Sequence, residues 1–368
     1  MATQSTAPIF LAAGGTGGHV FPAIAVADAL QIRGHAIQMI TDRRARHLIP
    51  DNLPCMVISA ASPFSGGLFL RIAALAKLAF GTIQVGIKML LTRPSLVIGF
   101  GGYPSAGPLF MAHLSSVPTI LHEQNAIMGR TNQMLARHCQ TLLVSWPDTK
   151  GLPASPSAKL VGMPVRDDFS HIEPYKANKH NPLRLLVLGG SLGANIFANL
   201  LPEAIANLPD SLKTKICVTQ QTRPDQVDAV KSCYEALGIR CEIASFFNDV
   251  PHQMAQADII ISRAGASSVA EIASAGRASI LVPFPAAMDE HQTANANVLA
   301  RNGAAQIANE TGLTPQTISH MLATLIADED QRTAQAIAAR AASQNHVAAK
   351  IVACAEQIIG KTAPKEAA

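Results

Sequence analysis

Two glycine-rich turns of the same kind stand in this chain, and both suit a phosphate. Ala7 to Ala13 runs apolar into Gly14-Gly-Thr-Gly-Gly-His19 and then into an apolar helical pattern. Leu183 to Leu188 runs into Gly189-Gly-Ser-Leu-Gly-Ala194 and then into another. Each reads as a buried strand, a tight turn and a helix start. The first amides of a helix lack internal partners and sit at its positive end, so such a turn can cradle a diphosphate. His19 closes the first turn. There an imidazole can donate to phosphate or take the proton of a substrate hydroxyl, although capping or packing is the plainer job.

Three further segments carry candidate chemistry. Ser262-Arg-Ala-Gly-Ala-Ser-Ser-Val-Ala-Glu271 follows the apolar run 258–262. Its Ser268-x-x-Glu271 fits a helix capping box. The functional alternative puts a diphosphate at the helix start and ribose hydroxyls on the two oxygens of Glu271. Asp289-Glu-His-Gln-Thr-Ala-Asn295 and His122-Glu-Gln-Asn125 each follow an apolar run, at the strand end where open α/β sheets bind ligands. Gln292 could meet sugar hydroxyls there, or simply solvate a helix start.

Two common nucleotide signatures fail. The dinucleotide pattern G-x-G-x-x-G lacks its last glycine after Gly15 and Gly17, where Val20 stands, and meets Ser191 after Gly189. The Gly-Lys-Thr of a phosphate loop occurs only at Gly360-Lys-Thr362, with Ala355 in place of the first glycine. A dehydrogenase or a kinase-like NTPase is therefore disfavoured.

These motifs need a scaffold, and alternating strand and helix signals supply one. Apolar runs at 8–13, 36–40, 95–98, 119–121 and 141–144 alternate with helical patterns, and the second half repeats this at 184–188, 216–219, 241–244, 258–262 and 279–282. Such alternation predicts parallel βαβ units in two similar α/β domains facing a cleft. Length points the same way: 368 residues, 48% hydrophobic and 15% charged, make two well-buried cores. The Pro- and Ser-rich stretch 145–182 reads as the connection, and 331–358 as helix. The expected division is 1–163, 164–340 and a last segment 341–368.

Six scattered cysteines without a C-x-x-C pair argue against zinc or disulfides, and no signal peptide is read at the N-terminus. Residues 1–163 carry 12 Lys and Arg against 5 Asp and Glu, and no acid lies between Asn52 and His122. One face of the first half should therefore meet something anionic. Within it, 64–91 mixes Leu68, Phe69, Ile72, Leu75, Leu78, Phe80, Ile83, Ile87, Leu90 and Leu91 with Arg71, Lys77 and Lys88. That suits an anionic bilayer surface, with a core helix and snorkelling cations as the alternative. No spanning helix and no nucleic-acid partner are expected.

Taken in order, the motifs closely resemble the MurG family, bacterial transferases that add N-acetylglucosamine to lipid I to make lipid II. The likeness rests on the Gly14 to Pro22 segment, Gly99-Phe-Gly-Gly-Tyr-Pro-Ser105, His122-Glu-Gln-Asn125, Gly189 to Ala194, Ser262 to Glu271 and Asp289 to Ala296. It implies a GT-B fold of two Rossmann-like domains, with the final helix crossing back onto the first. It also implies a peripheral protein on the cytoplasmic face of the bacterial inner membrane, serving peptidoglycan synthesis beside other cell-wall and division proteins.

Carried over by motif, the donor UDP-N-acetylglucosamine would meet Arg166, Ser191, Phe247, Ala266, Ser267, Ser268, Val269, Ala270, Glu271 and Gln292. Thr16, Gly17, Gly18 and Asn125 would join from the first domain. Phe247 would meet uracil through its backbone. The catalytic candidates are His19 as general base and Glu123 as second choice. No cofactor and no metal are expected, with no Asp-x-Asp triplet read in the chain. The alternatives are a UDP-sugar 2-epimerase of the same architecture and a nucleotide-sugar-binding membrane scaffold without turnover. Two departures stand out. Met163 replaces the family's usual asparagine in Gly162-Met-Pro-Val-Arg166, and Pro285 to Met288 is unusually apolar.

Overall fold

Two parallel sheets carry the motifs. The computed structural model describes residues 7–62, 67–177, 182–190, 195–285 and 290–362. The chain divides into two compact units, Met1–Arg166 with Gln344–Ala368, and Asp167–Ser343.

In the first unit the strands are β1 (Ile9–Ala12), β2 (Ile37–Asp42), β3 (Cys55–Ile58), β4 (Leu96–Gly99), β5 (Thr119–Glu123), β6 (Thr141–Val144) and β7 (Ala158–Leu160). Their order is β3-β2-β1-β4-β5-β6-β7. The helices are α1 (Gly17–Ile32), α2 (Leu68–Thr92), α3 (Ala106–Leu114) and α4 (Arg130–Ala136). The second unit has β8 (Leu183–Leu188), β9 (Ile216–Gln221), β10 (Cys241–Ala244), β11 (Ile259–Ser262), β12 (Ala278–Leu281) and β13 (Gln306–Ile307), in the order β10-β9-β8-β11-β12-β13. Its helices are α5 (Asn195–Ala206), α6 (Asp210–Lys213), α7 (Val227–Ala236), α8 (Val250–Gln256), α9 (Ala266–Ala275), α10 (His291–Ala300), α11 (Pro315–Ala327) and α12 (Glu329–Ala342). Helix α13 (Val347–Thr362) then belongs to the first unit.

Both sheets thus share one winding: the first strand of each unit lies between its second and fourth. Central strands such as Ile9–Ala12 and Ile259–Ser262 are buried along their whole length, as a sheet covered on both faces requires. The predicted helix over 331–358 is two helices, α12 and α13, and the chain passes between units in the gap. Val347, Ile351, Val352, Ala355 and Ile358 of α13 complete the core formed by β1 and α1. Glu356 then takes Arg33 Nη2 at 3.0 Å and His35 Nε2 at 3.1 Å.

Helix α2 is not a core helix. Only Ala74, Gly81, Val85, Gly86 and Met89 are buried in it. A side chain at Gly81 would run into the Ser59 carbonyl, and one at Gly86 into Met111 of α3, so these glycines let the helix dock closely. Its other faces leave Phe69 88% and Leu91 78% exposed, with Ile72, Phe80, Ile83 and Ile87 more than half exposed. By length and composition alone α2 is long and apolar enough to cross a membrane. Its glycine face, however, is committed to the domain.

Candidate active site

The sheet order puts the glycine turns at the two places where the winding reverses. In the first unit the Gly14 turn follows β1 and the Gly99-Phe-Gly-Gly-Tyr103 turn follows its neighbour β4. In the second, the Gly189 turn follows β8 and Arg263-Ala-Gly265 follows its neighbour β11. Open α/β sheets bind ligands at such switch points, beyond the strands' carboxyl ends.

In the first unit the two turns lock together. Gly101 and Gly102 have φ of 89° and 74°. A Cβ on Gly101 would press on His19 Nδ1 and Asn132, and one on Gly102 would strike the Gly14 carbonyl. Asp42, at the end of β2, accepts from Gly15 N at 3.0 Å and from Arg44 Nε at 2.8 Å. Thr16 is the extended N-cap of α1, and its hydroxyl caps nothing. His19 lies in the first turn of α1, half-buried, with Nδ1 3.0 Å from Gln124 Oε1. The Gln124 amide nitrogen in turn lies 3.0 Å from both the Nδ1 and the carbonyl oxygen of His122. His122 is fully buried, and its Nε2 meets the Gly162 carbonyl at 2.9 Å. Burial holds the His122 pKa down to about 4, against the pull of that carbonyl.

Glu123 is differently occupied. It is fully buried, and Oε1 accepts from the backbone N of Asn125 at 2.8 Å and from its Nδ2 at 3.0 Å. Its Oε2 accepts from Gly129 N at 3.0 Å and Asn132 Nδ2 at 2.8 Å. Four donors fill the carboxylate and shape the turn between β5 and α4. One hydrogen of the Asn125 amide is thereby held by Glu123. Arg166 ends the first unit, with its guanidinium 5.7 Å from the Phe21 ring of α1. The expected boundary had placed it in the second domain.

In the second unit α9 begins at Ala266 with Gly265 as N-cap, so no side chain caps it. Ser268 and Glu271 lie inside the helix, which removes the capping-box explanation. The first-turn amides of Ala266 to Ser268 are those a diphosphate would meet. Asn295 Nδ2 steadies the turn by donating to the Ala264 carbonyl at 3.3 Å. Arg263 holds the strand ends, donating to the Val282 carbonyl at 3.1 Å and pairing with Glu310. Ala266, Val269 and Ala270 are buried. Phe247 is buried, at 7% exposure. Gln292 Oε1 accepts from Phe284 N at 2.9 Å, so its amide NH2 is the group it can offer. Ser191 lies outside the described residues.

The expectation that the chain lacks an Asp-x-Asp triplet is corrected: Asp328-Glu329-Asp330 is one. It opens α12, and Asp328 caps that helix by accepting from Gln331 N at 2.8 Å. Among the described residues no three His, Cys, Asp or Glu cluster as metal ligands.

Residues 9–144 match the Glycosyltransferase family 28 N-terminal domain, and residues 184–352 its C-terminal domain. A UDP-N-acetylglucosamine–N-acetylmuramyl-(pentapeptide) pyrophosphoryl-undecaprenol N-acetylglucosamine transferase of Rhodospirillum centenum is 40% identical over 92% of this chain and 91% of its own length. A protein of the same name from Rhodospirillum rubrum is 39% identical over 97% and 95%. The chain belongs to glycosyltransferase family 28, in its MurG group. The crystal structure of Acinetobacter baumannii MurG superposes with a TM-score of 0.78 at 31% identity, covering 95% of this chain and 99% of that one. The glycosyltransferase of kitacinnamycin shares the fold at a TM-score of 0.70 and 16% identity. The two-domain GT-B class follows from these matches.

One departure from the MurG pattern can now be placed. Met163 is buried, with its sulfur 3.6 Å from Ser145 Oγ, while that hydroxyl donates to the Glu123 carbonyl at 2.9 Å. The thioether therefore packs beneath the His122 to Asn125 segment. Gln124, Asn132 and Asp42 had no individual role in the motif reading. Gln124 lay in a motif the sequence flagged and Asp42 ends the second strand, whereas Asn132 carries no local signal.

Proposed function

We propose that this protein moves N-acetylglucosamine from UDP-N-acetylglucosamine to the 4-hydroxyl of the muramyl sugar of lipid I, with inversion. The observation that carries this is the near full-length identity with transferases of that name. The hydroxyl oxygen attacks the anomeric carbon, the bond to the diphosphate breaks, and UDP leaves with the electron pair. His19 takes the hydroxyl proton. The filled carboxylate of Glu123 makes it the shaper of this strand end and a poor competitor for that proton.

In the second unit, the uncapped start of α9 and the Gly189 turn, with Ser191, receive the diphosphate. Glu271 accepts from ribose, the Phe247 backbone meets uracil, and Gln292 donates to the sugar. Arg166, Thr16, Gly17, Gly18 and Asn125 complete the contacts from the first unit. The exposed apolar faces of α2, with Arg71, Lys77, Lys88 and Arg93, rest on an anionic bilayer, as an enzyme with a lipid-linked acceptor on the inner membrane's cytoplasmic face requires.

The test is to mix the protein with UDP-N-acetylglucosamine and a lipid I analogue and follow UDP release with disaccharide formation. Acceptor-dependent disaccharide is expected, with kcat of His19→Ala lower by roughly 10²–10⁴-fold at little cost in donor KM. Donor binding without acceptor-dependent product would favour the scaffold, and epimerised donor the 2-epimerase.

A further inference from the structure

The hydrogen-bond chain behind His19 has only one consistent proton assignment. The Gly162 carbonyl can only accept, so His122 Nε2 carries a hydrogen. A neutral His122 then has a lone pair on Nδ1. The carbonyl of His122 can likewise only accept. The Gln124 atom facing both of these must therefore be its NH2, 3.0 Å from each. The amide is thereby oriented with Oε1 toward His19, 3.0 Å from Nδ1. An oxygen there requires a hydrogen on His19 Nδ1. In the neutral ring the remaining lone pair is on Nε2.

We propose that Gln124, backed by His122, is a positioning residue that fixes His19 as the Nδ1–H tautomer and presents Nε2 to the acceptor hydroxyl. The proposal rests on the reading of His19 as the base. Gln124 touches no reacting atom. The backbone carbonyl of Gln124 accepts from Trp146 Nε1 at 2.9 Å, which fixes the main chain from which the amide projects. The far end of the chain is equally fixed. Gly162 has φ of 100°, and any side chain on it would strike Gln344 and Val347 at the entry to α13. An amide suits this relay better than a carboxylate. It offers one donor and one acceptor in fixed order, so the His122 proton pattern dictates that of His19.

The experiment is a long-range 1H–15N correlation spectrum of the full chain labelled with 15N-histidine, at neutral pH. Signals are assigned by their loss in His19→Asn and His122→Asn. Opposite tautomers are expected, Nδ1–H for His19 and Nε2–H for His122. In Gln124→Met the single His19 tautomer should give way to a mixture. Its kcat should fall between about ten- and a hundredfold, a part of the roughly 10²–10⁴-fold a positioned base supplies, with donor KM within about twofold. An Nε2–H His19 in the wild-type protein, or a His19 tautomer unmoved by Gln124→Met, overturns the proposal. The stated tautomers together with full turnover by His19→Ala would support the relay and instead remove His19 as the base.

Discussion

Asp42 closes back on the first glycine turn, accepting the Gly15 N–H at 3.0 Å while Arg44 holds its other oxygen. In a dinucleotide-binding domain the acid at the end of the second strand takes a ribose hydroxyl. Here it is spent on the turn itself, so the first unit holds a braced loop and His19 instead of a ribose site. Asp42→Ala should cost about 1.5–3 kcal/mol in urea unfolding and lower kcat, because the loop that carries His19 loosens. Asp42→Asn keeps an acceptor for Gly15 and should lose less than half of that.

Glu123→Gln separates shape from catalysis. The amide would aim its NH2 at two donors, either the Asn125 pair or Gly129 with Asn132. Each donor left without an acceptor costs roughly 1–3 kcal/mol. A clear fall in melting temperature is expected. A variant that melts like the wild type yet loses turnover would return Glu123 to the role of base.

Glu271→Ala should raise the donor KM by about ten- to a hundredfold, the equivalent of roughly 1.5–3 kcal/mol for hydrogen bonds to a charged acceptor. Its melting temperature should hold, since Gly265 and not Ser268 begins α9. An unchanged KM would separate Glu271 from the ribose.

His122 makes stability depend on pH in a definite direction. Its folded pKa, about 4, lies below the ordinary 6.5, so the unfolded chain binds the proton first. Its contribution is complete above about pH 6.5 and declines as pH falls toward 4, by roughly 3 kcal/mol in all. Unfolding free energies at pH 7 and pH 5 should therefore differ less in His122→Gln than in the wild type. Equal differences would mean that another group carries the dependence.

Phe80→Glu tests the outer surface of α2. Burying a phenylalanine is worth roughly 1.5–3 kcal/mol, so binding to anionic vesicles should weaken by about tenfold or more. Turnover of a water-soluble lipid I analogue should not change. Undiminished vesicle binding would move the membrane contact elsewhere.

The strands, the glycine turns and the strand-end position of His122 to Asn125 were legible because they are local: apolar runs, glycines and strand-end motifs within a few residues. Strand β3 escaped because its only strong partner is β2, and β13 because two residues make no pattern. β7 sits in a stretch whose prolines read as linker. The fit of Ser268 and Glu271 to a capping box misled because the same spacing occurs one turn inside a helix. Glu123 reads as a second base because it follows a strand in the same domain, and its four donors, one of them Asn132 on α4, show it filled. The Gln124 relay was hidden for a related reason: it joins β5, α1 and the Gly162 turn, which are far apart in sequence.

The placement of α13 has a consequence for synthesis. The chain leaves the first unit at Arg166 and re-enters it at Gln344, so the second unit is an insertion within the first. A nascent chain can pair β1 to β7 early, yet the apolar flank of β1 and α1 waits for Val347, Ile351, Val352 and Ala355. The domain that begins first is therefore finished last, after its neighbour has had time to fold on the ribosome. A chain cut short before residue 347 would carry a first domain with an apolar seam left open to water.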